Sequence, residues 1–122
     1  MLILKYLWPL VRSMEQMMTS NIETIPGFTI TKSLGVVSGS TVRAKHIGKD
    51  ILAGLKNIIG GELKAYTELL TEARTEALGR MMMDASQRGA NAVVNVRFAT
   101  SSVAGGAAEL FAYGTGVIIV EG

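Results

Sequence analysis

His46 is the only imidazole in the chain, and it directly follows Lys45. A metal-binding imidazole needs partners, and there is no second histidine and no cysteine to join it. The adjacent ammonium also opposes a cation. A general base or an anion contact is the chemistry left to His46, beside the plain reading of a polar turn residue. Met81, Met82 and Met83 offer thioethers, which are soft ligands for copper(I). On a helix, consecutive residues point about 100° apart, so these three cannot converge on one ion within a chain. Glu68, Glu72 and Glu76 recur every four residues, which aligns them on one helix face. Such a row can do acid–base work or hold a hard cation weakly, and it equally suits solvated surface. Arg97 stands between Val96 and Phe98 in a strand-like stretch. It could pair with Glu109 across a hairpin or contact an anion at a subunit boundary. Lys45, His46 and Arg97 are therefore the anion-contact candidates. No catalytic residue, metal ligand or cofactor site is read from the chain.

The stretch "IIGGELKAY", residues 58–66, tests for a phosphate loop. Gly60-Gly61 precedes a helical segment, as phosphate-binding glycines do. A Walker loop, however, follows a strand and ends in Lys-Ser/Thr. Here a helical pattern precedes, and Glu62 follows where an anion would lie. The pair reads better as a stop for one helix and a cap for the next.

The elements that position these residues follow from periodicity. Pro26-Gly27 predicts a turn. Residues 28–44 are rich in β-branched residues and predict a long strand. Ile30, Lys32, Leu34, Val36 and Ser38 would share one face, with Gly35 or Gly39 at a bulge or close backbone approach. Ile47, Ile51, Leu55 and Ile58 predict a three-turn helix over 47–59. Residues 62–88 predict a long helix with Tyr66, Leu70, Ala73, Ala77, Met81 and Ala85 as its inner stripe and Gly89 as its stop. Glu76 and Arg80 suit an i,i+4 ion pair. Two strands follow. In one, Ala92, Val94, Val96 and Phe98 oppose Val93, Asn95, Arg97 and Ala99. In the other, over 107–120, Leu110, Ala112 and Gly114 oppose Glu109, Phe111 and Tyr113. Glycines in "SVAGGA" join them as a hairpin. The order β-α-α-β-β predicts an α+β, two-layer domain with helices on one face of an antiparallel sheet. Val37, Val93, Phe111, Val117 and Ile119 would be left on the other face, where a second subunit could cover them.

Hydrophobic residues make up 48% of the 122, a high share for a small monomer whose surface is large for its volume. The absence of cysteine excludes disulfides, iron–sulfur clusters and thiolate nucleophiles, and fits a cytoplasmic protein. Charge is uneven: residues 1–61 carry seven Lys/Arg against three Asp/Glu, +4, and residues 62–122 carry five against seven, −2. The basic stretch Arg43–Lys56 has no interleaved aromatics, so no nucleic-acid partner is expected. "MLILKYLWPLVRSMEQ" at the start is too short to span a bilayer and is broken by Pro9. Residues 1–17 read as an extension to a single domain over 18–122, either poorly ordered or, through its first sixteen residues, an interfacial anchor.

"IGGELKAYTELLTEAR", "RGANAVVNVRF" and "GAAELFAYGT" together resemble the YbjQ-like family of small prokaryotic proteins. The resemblance runs from about Thr19 to Val120. It implies a dodecin-like arrangement assembling into ring-shaped homo-oligomers, pentamers in particular. It also brings a heavy-metal-binding label, which suits poorly a chain with one histidine and no cysteine. It supplies no catalytic residue.

Overall fold

Sixteen consecutive residues of β propensity and a 27-residue helical repeat dominate the molecule. The computed structural model describes residues 17–43, 61–102 and 108–122. Within them lie β1 (Met18–Thr19), β2 (Phe28–Arg43), α1 (Gly61–Gln87), β3 (Ala92–Ser102) and β4 (Ala108–Glu121). The expected helix over 47–59, with Lys45, His46, Gly60 and residues 1–16, lies outside the described residues.

The sheet runs β1-β3-β4-β2. β4 pairs antiparallel with both β2 and β3, and β1 adds parallel to β3. The expected three-stranded antiparallel sheet is therefore four-stranded and mixed. A two-residue strand shows no period in sequence. It exists because Ser20 N–H reaches Val93 O at 2.9 Å and Met18 N–H reaches Asn91 O at 3.4 Å. Met17, just before it, is buried in the core.

Pro26-Gly27 makes its turn: Gly27 has φ +88° and Phe28 N–H donates to Ile25 O at 3.0 Å. β2 then breaks its own alternation twice, with register shifts between Ile30 and Lys32 and between Ser33 and Val36. Gly35, at φ +89°, supplies the left-handed residue of the second shift. Directly opposite residues share a face. The expected row from Ile30 to Ser38 is therefore split: Leu34 packs on the core cluster beneath α1, while Val36 is exposed. β3 breaks likewise at Asn95, which has φ +55°, so Ala92 and Val94 lie opposite the face taken by Val96.

Helix α1 packs chiefly over β2 and β4. Ala73, Ala77, Met81 and Ala85 are buried in its inner stripe, as their spacing predicts. Small side chains let the helix approach β2 closely, and at Gly39 the helix backbone leaves no room for a β-carbon. Leu70, expected in the stripe, is 41% exposed. The Tyr66 side chain, expected one turn before it in the stripe, is outside the described residues. The methionine triplet diverges as its helical phase requires: Met81 is fully buried, Met82 half-buried and Met83 exposed. The helix ends in a Schellman motif, with Ala90 N–H on Ala85 O at 3.0 Å and Gly89 at φ +88°.

Two clusters form the core. The larger, between helix and sheet, joins Val37, Ala77, Met81, Ala85, Val93 and Ala112. The smaller lies on the opposite face, where Ile25 covers Ala92, Val94, Val117 and Ile119. Val37 and Val93 were expected on that opposite face; both face the helix, because the bulges break the single alternation on which that expectation rested.

Candidate functional site

On the face away from α1, Ile25 covers only one half. The other half is set by register: Arg97 opposite Tyr113 opposite Ser38, then Ala99 opposite Phe111 opposite Ser40. Val36 adjoins them and is 66% exposed; Tyr113 is 37% exposed. The Phe111 and Tyr113 rings stack at 5.5 Å with a 27° interplanar angle. Side chains two apart on one strand share a face, so the pair forms an apolar platform with a phenol at its end.

Arg97 is the one sequence-proposed anion contact within the described residues. Its Nη1 donates to Asn21 O at 2.6 Å and to Val96 O at 3.0 Å. The guanidinium thus ties the segment after β1 to β3. The expected pairing with Glu109 does not form. Glu109 lies opposite Ser101, whose Oγ donates to Glu109 Oε1 at 3.4 Å. The bulge at Asn95 shifts the register of β3 on β4, and it does not show in the alternation of single residues.

A second feature lines the outer edge of β2. Glu76, Arg80, Asp84 and Arg88 follow at four-residue spacing on α1. Arg80 pairs with Glu76 at 2.6 Å, and Arg88 with Asp84 at 3.2 Å. Both pairs are partly exposed, so each adds only about 0.3–0.5 kcal/mol. Their reach matters more. Ser38 N–H donates to Asp84 Oδ2 at 3.0 Å, and Arg80 Nη1 donates to Ser40 O. The Glu76–Arg80 pair was legible from spacing. The bonds to β2 were not, because they depend on how helix and strand dock. Glu68 and Glu72 are exposed, as a solvated row requires.

The described residues contain no imidazole, and Ser38 and Ser40 stand opposite Tyr113 and Phe111 on the sheet. No helix among the described residues is long and apolar enough to cross a membrane.

Comparison with known proteins settles the lineage. The family model described as "Putative heavy-metal-binding" matches residues 17–120. A UPF0145 protein of Hahella chejuensis is 69% identical over 103 residues, 84% of this chain and 99% of that protein. This chain belongs to the YbjQ-like family. A UPF0145 protein of Acinetobacter baylyi is 64% identical to the YbjQ-like chain, covering 78% of it and 88% of the relative. One from Archaeoglobus fulgidus is 59% identical, covering 84% and 95%. A crystal structure from Pediococcus pentosaceus, titled as a DUF74-family protein of unknown function, aligns with TM-score 0.49 at 16% identity, over 87% of this chain and 98% of that one.

The family description names heavy metals, so the donor set matters. Among the described residues, no three His, Cys, Asp or Glu side chains gather where they could hold an ion. The thioethers of Met81 and Met83 point to core and solvent respectively. These donors do not fit a soft-metal centre within one chain.

Proposed function

We propose that this YbjQ-like chain is a self-assembling, non-catalytic binding or structural protein acting as a cytoplasmic homo-oligomer, in the form of a pentameric ring. The observation that carries the reading is the open half of the sheet. Val36 is 66% exposed beside Tyr113 and Phe111, and apolar surface gathered on one face of a small domain drives association. Sedimentation at micromolar concentration is expected to give a mass several times the 13.0 kDa chain, near five chains for the ring. A sharp monomer boundary would overturn the reading.

The family description favours a second reading, in which several subunits together build a metal site. His46 is the sole imidazole any subunit could contribute. Calorimetry with zinc, copper and nickel is expected to show no stoichiometric binding by wild type after dialysis against a mild chelator. A micromolar zinc site that vanishes in His46→Ala would establish the second reading instead.

A further inference from the structure

Residues 17–24 run beside β3 and are fastened to it in one concentrated place. Of these residues Met17 is buried in the core, Ser20 is half-buried and the others are exposed. β1, at their start, is two residues long, and its Met18 N–H reaches Asn91 O only at 3.4 Å. The firm joint comes after it, at the bulge in β3. Consecutive N–H groups of a regular strand point to opposite edges. The left-handed Asn95, at φ +55°, breaks that alternation, so two neighbouring amides serve the same segment. Asn95 N–H donates to Ile22 O at 2.9 Å, and Val96 N–H donates to Ser20 O at 3.0 Å. Arg97 Nη1 takes the carbonyl between them, Asn21 O, at 2.6 Å. Three consecutive residues of β3 thereby grip three consecutive carbonyls. Ile22 N–H, donating to Ser20 Oγ at 3.1 Å, holds those carbonyls in a bend of their own.

The chain just beyond is fixed by different contacts. Ile25 is buried in the smaller core cluster. Phe28 N–H donates to Ile25 O at 3.0 Å, and Gly122 N–H donates to Gly27 O at 3.0 Å. Bending the chain between Thr24 and Ile25 would therefore free residues 17–24 and leave the Pro26-Gly27 turn and the smaller cluster in place. A segment that buries little apolar surface and exposes its main-chain bonds opens at a lower free energy than the body it lies on.

We propose that residues 17–24 form a strap that leaves the sheet as a unit, with the Asn95–Val96–Arg97 clasp as its latch. Opening bares the outward amides of Asn95 and Val96 and withdraws Met17 from the cluster that it shares with Met81. Arg97 acts here as a positioning residue, closing the clasp over the middle carbonyl. The strap is a property of one chain and stands whether or not chains associate.

Amide exchange and peroxide oxidation of the full chain test the strap. In wild type the Asn95 and Val96 amides are expected to exchange at least tenfold faster than the Leu110, Phe111 and Ala112 amides of the central strand. Arg97→Ala is expected to speed the first set at least fivefold and to leave the central set within twofold. Arg97→Lys, which keeps a donor on a long stem, should restore part of the slow exchange. Hydrogen peroxide reads the other end of the strap. It transfers one oxygen atom to a thioether sulfur and leaves as water. Met17 and Met81 are buried in the same cluster, but only Met17 rides on the strap. Met17 sulfoxide is therefore expected to form at least tenfold faster than Met81 sulfoxide. Wild-type Asn95 and Val96 amides that exchange no faster than the central ones overturn the proposal, and so does an Arg97→Ala effect equal in both sets. Equal oxidation rates at Met17 and Met81 in wild type overturn it even if the variants fail to fold.

Discussion

Gly39→Ala is expected to lower the stability of the fold by about 3 kcal/mol or more, the upper part of the range for overpacking a core. A β-carbon at Gly39 would sit 2.5 Å from Ala77 O and 2.6 Å from Arg80 Cβ, and closer still to Met81 N. Two of those atoms belong to the helix backbone and cannot rotate away. Either α1 lifts from β2 or the strand bends. Lifting would also stretch the Asp84 bond to Ser38 and the Arg80 bond to Ser40. Gly79→Ala is the matched control. A β-carbon there meets nothing within 4 Å, and alanine in a helix interior is worth about 0.5–1 kcal/mol over glycine. Urea unfolding of the two variants at one protein concentration should therefore move the midpoint in opposite directions. Equal midpoints would mean that helix and strand are not in contact at Gly39.

Met81→Ala is expected to cost about 2–5 kcal/mol, the range for removing a long buried side chain. Met81 is fully buried and is the largest such side chain among the described residues. Its neighbours in the cluster are mostly alanine and valine, which are too small to swing into the space. Met83→Ala, at a position 39% exposed, should stay within about 1 kcal/mol of wild type. Thermal melts of the two variants separate a core role from a shared metal-binding role. If both lost stability equally, the diverging directions of the triplet would be wrong.

The long helix was legible because its signal is local. A stripe at 3.6-residue spacing, a glycine stop and an i,i+4 ion pair each depend on a few neighbours along the chain. Residues 62–88 accordingly match Gly61–Gln87 within one position at each end. Leu70 is the exception: periodicity places a residue on a face but does not say whether anything lies opposite. The Pro26-Gly27 turn, the long β2 strand and the two glycines suspected within it were likewise readable from residue type. Gly35 proved to be the bulge and Gly39 the close approach.

What the chain by itself determined was the type and extent of its long helix and strands. Those follow from residue type and short-range spacing. Only the tertiary structure decided which way the strands face. A bulged residue inverts the facing of the strand on one side of it relative to the other, so the shifts in β2 leave Val37 facing the helix and the bulge at Asn95 lets both Val93 and Val96 do so. It also placed Arg97 against Asn21 rather than Glu109, recruited β1, and set Arg80 and Asp84 against the edge of β2. Each of these is a contact between residues from about 40 to nearly 80 positions apart, with a geometry fixed by how packed layers meet. No window of sequence contains that information, because the energy that selects it arises only when the layers close on one another.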